Sequence, residues 1–178
     1  MEIEETDMLI EAMKSGDKNA FNCFIQRYYN ELYYTALGIV RSEWDARDIC
    51  QETFIKVFSS LNKLKDTSKV KQWMNRMLIN KCNDYFRKNK RVAASNYIEV
   101  KSFSGVENVE KIDLLKAMLT LKEETRVVLT LRYFQELPLK EIADILDIPV
   151  GTVKSRISNG LKELRKLMKT DLKGRETL

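Results

Sequence analysis

Residues 137–166, LPLKEIADILDIPVGTVKSRISNGLKELRK, constrain the fold more than any other stretch. Ile142, Ala143, Ile145 and Leu146 cluster at helical spacing and predict a short helix. Asp147-Ile148-Pro149 ends it, because proline disfavours a helical conformation in the preceding residue and has no N–H to donate. The usual turn glycine is missing, which leaves Asp147 as the expected left-handed residue. A second, longer helix starts near Gly151-Thr152, with Val153, Ile157, Leu161, Leu164 and Met168 as its expected buried stripe. Its other face carries Lys154, Ser155, Arg156, Ser158, Asn159, Lys162, Arg165 and Lys166, with Glu163 as the single acid. A helix-turn-helix with a basic, hydrogen-bonding face fits a DNA major groove. The competing reading is a plain helical hairpin whose charges are solvated.

Elsewhere the chain also reads as helical. Only 6 Gly and 2 Pro interrupt 178 residues, and 44% apolar content is enough for packed cores. The net charge of +5 is modest, but its distribution is informative. Residues 2–11 are acidic, whereas residues 63–91 hold ten basic residues opposed by Asp66 and Asp84 alone. Together with the last helix this makes two basic surfaces, suited to two contacts along one polyanion.

Asp7 to Met13 predict a short helix with Asp7 as cap and Met8, Leu9, Ala12 and Met13 on one side. Ser15-Gly16-Asp17 breaks it. A second helix, about 18–41, has Phe21, Phe24, Ile25, Tyr28, Leu32, Leu37 and Val40 as its apolar line. A third, about 43–61, has Ala46, Ile49, Cys50, Phe54, Val57, Phe58 and Leu61 facing inward. Asp45, Asp48, Gln51, Glu52 and Lys56 lie on its polar side, where the acids of the first turns also suit the helix dipole. After a basic loop at 62–71, a fourth helix runs to about Asn89, with Trp73, Met77, Leu78, Cys82, Tyr85 and Phe86 along it. Its other side carries Arg76, Asn80, Lys81, Asn83, Arg87 and Lys88. Basic residues interleaved with aromatics can grip a backbone and stack bases, or can simply be a solvated face over a core stripe. Periodicity lapses at 92–108, which reads as an interdomain linker, and resumes at 109–121 and 122–135. Residues 170–178 read as a frayed tail.

Several function classes are disfavoured. The chain has no histidine, and no carboxylate dyad, triad or metal cluster is evident, so neither catalysis nor a cofactor is expected. Gly151-Thr152 alone is no phosphate loop. Cys23, Cys50 and Cys82 are odd in number, widely spaced and free of CxxC, as expected of reduced cytoplasmic thiols. With no membrane span or signal peptide in the sequence, a soluble cytoplasmic protein is expected.

Two sets of residues, in order, resemble the extracytoplasmic-function (ECF) sigma factors, two-domain bacterial transcription initiation subunits. The first is Asp45-Ala46, Asp48, Gln51-Glu52, Phe54, Val57, Trp73, Arg76, Asn80, Asp84, Tyr85 and Arg87. The second is Leu137-Pro138, Glu141-Ile142-Ala143, Val150 to Arg156, Leu161 and Leu164. The resemblance implies an all-α fold of two helical domains. Residues 1–91 would be a region 2-like domain, 92–108 a flexible linker and 109–178 a region 4-like helix-turn-helix domain.

By the same resemblance, Asp45, Asp48, Gln51, Glu52 and Lys56 would dock on the clamp helices of the largest, β′-type polymerase subunit. Leu64, Lys69, Trp73, Arg76, Asn80, Lys81, Arg87 and Lys88 would bind and open the −10 element, with Trp73 stacking at the fork. Thr152, Lys154, Ser155, Arg156, Ser158, Asn159 and Lys162 would read the −35 element. Ser158-Asn159-Gly160 departs from the basic or aromatic, Arg, Ala sequence frequent there. Gly160 costs roughly 1 kcal/mol against alanine inside a helix and permits a close backbone approach. The implied partners are core RNA polymerase, promoter DNA and an anti-sigma factor, with no small-molecule substrate and no membrane insertion. The alternative is a helix-turn-helix regulator with an N-terminal signalling domain, which leaves the basic 63–91 stretch without a role.

Overall fold

The computed structural model describes residues 2–89, 114 and 117–175, and side chains within 5–88, 114 and 117–167. The described residues are helical or lie in turns and loops, with no strand among them. The chain divides into two compact units, Met1–Ser95 and Asn96–Leu178. The expected linker at 92–108 and most of the expected 109–121 helix lie outside the described residues.

The first unit contains α1 (Glu2–Lys14), α2 (Lys18–Val40), α3 (Glu43–Ser60) and α4 (Val70–Asn89). Helix α1 begins at Glu2, so Asp7 lies inside it and caps nothing. Its buried line is Thr6, Ile10 and Met13, while Met8 is exposed, a different face from the one expected. Gly16, with φ of 90°, turns the chain, and Asp17 caps α2 by accepting from the N–H groups of Asn19 (2.8 Å) and Ala20 (3.3 Å). Phe24, Tyr28, Leu32 and the continuous run Thr35–Val40 are buried. This unbroken run places the end of α2 at the centre of the unit, where it packs against α3 and α4. Arg41 closes α2 in a left-handed conformation and Ser42 caps α3. Buried hydroxyls satisfy themselves within their helices, Thr35 on the Glu31 carbonyl and Thr53 on that of Ile49, both at 2.7 Å.

In α4 the buried line is Val70, Met74, Leu78, Ile79 and Cys82, with Asn75 donating to the Lys71 carbonyl at 2.9 Å. Trp73 and Met77, which the sequence groups with Leu78 and Cys82, stand instead on the half-exposed side. Phe58 of α3 likewise leaves the expected core stripe and is half exposed.

The second unit contains α5 (Glu123–Tyr133), α6 (Leu139–Leu146) and α7 (Val150–Arg175). Met118, Leu121, Val128, Leu129, Leu131, Ile142, Val153 and Leu164 form its core. Asp147 ends α6 at φ 53°, left-handed as the missing glycine predicts. Pro149 accepts from the N–H of Thr152 at 2.9 Å as α7 begins. The buried face of α7 runs through Val153, Gly160 and Leu164, whereas Ile157 and Leu161 are half-buried; the Met168 side chain is outside the described set. Gly160 is where α7 meets α5. A Cβ there would lie 2.6 Å from both Leu129 Cδ1 and Thr125 Cγ2. The close approach expected of this glycine is therefore made by α5. Helix α7 also continues to Arg175, past the Thr170 boundary expected for a frayed tail.

Candidate nucleic-acid and partner interfaces

On α3, Asp48, Gln51, Glu52 and Lys56 are exposed and Asp45 is half-buried. These five do not act as one free surface. The Asp45 carboxylate accepts from the Tyr85 hydroxyl of α4 at 3.0 Å, and the Glu52 carboxylate accepts from the Lys81 ammonium. Asp48 and Gln51 instead share a stripe with Trp44, Ile55 and Phe58, which are 84%, 68% and 50% exposed. The sequence reading passed over Trp44 and Ile55 and placed Phe58 in the core stripe. Positions 44, 48, 51, 55 and 58 advance by four and three, which places them along one seam of the helix. A second apolar stripe in α3, beside the one formed by Ala46, Ile49, Cys50 and Phe54, was the available signal. Phe58 is steadied from behind by Phe21 of α2, at 4.8 Å between ring centroids.

Next to this surface Tyr29 stacks on both Tyr33 and Phe54, at 5.9 Å and 6.5 Å between ring centroids. Partial burial raises the pKa of Tyr29 and of Tyr33, so both phenols stay neutral. Burial pushes the Cys50 thiol up to about 12, which removes it as a nucleophile.

On α4 the structure brings Trp73, Arg76 and Asn80 onto one face, opposite the core line of Met74, Leu78 and Cys82. Arg87 continues that face and is held by Asp84 at 2.9 Å, while Lys88 is exposed beside it. The preceding loop is ordered by two 3₁₀ turns, Leu61–Lys63 and Thr67–Lys69. Asp66 caps the second by accepting from the Ser68 N–H (3.1 Å) and hydroxyl (2.5 Å); those bonds and Lys69 hold its carboxyl below the ordinary 3.8. Lys69 pairs with Asp66 at 3.6 Å. Leu64 is only 6% exposed, so it supports the loop from the core and does not line its outer surface. Pairs this exposed are screened by solvent, so Lys69, Lys81 and Arg87 can exchange a carboxylate for a phosphate at little cost.

On α7, Ser155, Ser158, Asn159 and Lys162 form the centre of the exposed face. Lys154 is exposed on one flank; Thr152 and Arg156, half-buried, lie toward the other. The Ser155 hydroxyl donates back to the Thr152 carbonyl at 2.9 Å. Along the Lys154 flank runs a groove of about 450 Å³ rimmed by Arg132, Lys154, Lys162 and Arg165. Arg132 extends the basic surface beyond the face read from sequence, to which Arg165 already belongs. Among the described residues no cluster of His, Cys, Asp or Glu could hold a metal, and no helix is long and apolar enough to cross a membrane.

Residues 24–92 match the family described as Sigma-70 region 2, and residues 111–164 match Sigma-70, region 4. The ECF RNA polymerase sigma factor SigW of Bacillus subtilis (strain 168) is 30% identical over 177 residues, spanning 90% of this chain and 95% of that protein. The ECF RNA polymerase sigma-E factor of Escherichia coli (strain K12) is 30% identical over 167 residues, 84% and 87% of the two chains. Among solved structures, CnrH in complex with the cytosolic domain of CnrY has a TM-score of 0.67 at 23% identity, covering 94% of this chain and 99% of that one. The sigma factor RpoE in complex with the anti-sigma factor NepR, from Bartonella quintana, has a TM-score of 0.67 at 22% identity, covering 83% and 98%.

Proposed function

The chain belongs to the extracytoplasmic-function (ECF) sigma factor family, and from that premise we propose how its surfaces divide the work of promoter opening. It is a non-catalytic transcription initiation factor that binds RNA polymerase and recognises promoters. Residues 1–91 act as the region 2 domain, 92–108 as the linker and 109–178 as the region 4 helix-turn-helix domain.

The observation that carries the polymerase assignment is the exposed seam Trp44, Asp48, Gln51, Ile55 and Phe58 on α3. An apolar stripe of this spacing, interrupted by an acid and an amide, suits a helical partner with its own apolar and basic residues. The clamp helices of the β′-type subunit are such a partner. Trp44, Ile55 and Phe58 supply buried area, while Asp48 and Gln51 orient the complex, with Asp45, Glu52 and Lys56 at its edge.

On α4, Trp73 replaces lost base stacking at the upstream fork, and Asn80 with the 62–71 loop holds a base that has left the duplex. Arg76, Lys69, Lys81, Arg87 and Lys88 carry the strand's phosphates. Leu64 acts from beneath the loop. On α7, Ser155, Ser158, Asn159 and Lys162 face the groove floor at −35, with Thr152, Lys154 and Arg156 on its walls. Strand capture by α4 supplies the energy of melting. The factor works in the cytoplasm, and an anti-sigma factor covers these surfaces when it is off; the structural relative RpoE forms a complex with the anti-sigma factor NepR.

Run-off transcription tests the whole assignment. The purified chain added to core polymerase directs transcription from a specific promoter. DNA binding without any polymerase-dependent transcript would refute it.

A further inference from the structure

We propose that the exposed seam of α3 binds a second copy of this chain, antiparallel about a two-fold axis at Gln51, so that the free factor self-associates. The inference goes beyond the polymerase reading of this seam and does not depend on it. Trp44, Ile55 and Phe58 are the large apolar side chains that α3 leaves exposed, and a contiguous apolar stripe marks a contact surface. The order along the seam is close to palindromic. Trp44 and Phe58 lie seven residues before and after Gln51, while Asp48 lies three before it and Ile55 four after. Antiparallel pairing across Gln51 therefore lays Trp44 on Phe58 of the second copy, twice in each dimer. The same pairing sets Asp48 beside Ile55 and Lys56 of the second copy. At the axis each Gln51 amide donates to the other and accepts from it.

Charge decides the direction of the pair. A parallel pair in register would set Asp48 against Asp48, and like charges face to face are unfavourable. The antiparallel pair gives each Asp48 a lysine instead. Asp48 and Lys56 are both exposed, and among the described residues neither has an ion-pair partner in its own chain. Glu52, which meets its own counterpart along the same flank, is already held by Lys81 and brings no bare charge to the contact. Burial of Trp44, Ile55, Phe58 and their polar neighbours from two copies hides on the order of 1,000 Å². That area lies at the low end for a specific contact, so the dimer is weak and forms reversibly. It covers the face that α3 offers to polymerase, which makes self-association and docking mutually exclusive.

Sedimentation velocity of the full chain, with a reductant present, should show a monomer–dimer equilibrium in the micromolar range. Trp44→Ala should weaken it at least about tenfold, because the ring is lost from both ends of the pair. Asp48→Lys and Lys56→Asp should each weaken self-association, since each sets like charges against one another twice. A mixture of these two variants should associate better than either alone, because the mixed pair restores opposite charges on both sides. All three positions are exposed, so the variants keep the fold. A chain that stays monomeric up to about 200 µM overturns the proposal. So does a dimer that Trp44→Ala leaves unchanged, or a mixture that associates no better than its components. Saturating core polymerase should convert the dimer into complexes holding one copy of the chain. A dimer that persists on the polymerase would remove α3 as the polymerase face and leave the self-association standing.

Discussion

Gly160→Ala tests the packing that presents α7 to DNA. Two opposed terms set its effect. Alanine in place of a mid-helix glycine is worth about 1 kcal/mol in helix propensity. Against that, the new Cβ would lie 2.6 Å from Leu129 Cδ1 and from Thr125 Cγ2. Leu129 is fully buried, so its methyl has no open space to swing into, and the helices must separate or Leu129 must leave its rotamer. Overpacking of this kind costs about 1–3 kcal/mol. The net expectation is a loss of about 1 kcal/mol, a fall of about 4–8 °C in the melting of a small domain. The two tryptophans, Trp44 and Trp73, both lie in the first unit, so fluorescence follows that unit while far-UV circular dichroism follows both. The fluorescence transition should stay in place, and a helical component should shift to lower temperature without it. Combining Gly160→Ala with Leu129→Ala should cost less than the sum of the two, by at least about 0.5 kcal/mol, because one of the two clash partners is gone. A variant stabilised by the full propensity gain would refute the reasoning, since the crossing of α5 and α7 would then be loose.

Three further outcomes follow from the interfaces. Trp44→Ala and the pair Asp48→Lys with Gln51→Lys should each weaken core polymerase binding, by about 1–3 kcal/mol for the tryptophan, while helicity is kept; unchanged affinity in a titration with labelled core would remove α3 as the docking face. Trp73→Ala combined with Asn80→Ala should leave closed complexes but reduce the permanganate reactivity of promoter thymines, and normal opening on duplex DNA would assign both residues a structural role only. Lys154→Ala and Arg156→Ala should differ in kind when selected against a randomised −35 library at two salt concentrations. Loss of a bidentate base contact relaxes one position by about 1–3 kcal/mol, whereas loss of a phosphate contact weakens all sequences and lowers the salt slope by about one. Uniform weakening by both would move base readout to Ser155 and Asn159 at the centre of the face.

Much of the architecture is legible in the amino-acid sequence because helices announce themselves locally. The 3.6-residue repeat marks α2 and α3, Pro149 ends the short helix, and the lack of a turn glycine correctly assigns the left-handed position to Asp147. The two charged helices and the family follow from composition and motif order in the same way. What periodicity cannot decide is which of two competing stripes is buried, since that depends on where neighbouring helices lie. In α4 the neighbours take Met74 and Ile79 and leave Trp73 beside Arg76 and Asn80. In α3 they take Phe54 and leave Trp44 and Ile55 outside. Gly160 reads as a blemish in a helix until Leu129 and Thr125 appear against it. The hydrogen bonds from Tyr85 to Asp45 and from Lys81 to Glu52 join residues 40 and 29 positions apart, which only the packing of α3 against α4 brings within reach. Local spacing sets the direction a side chain takes from its own helix axis; what it meets there is set by the packing of distant segments, where backbone approach and side-chain volume must agree.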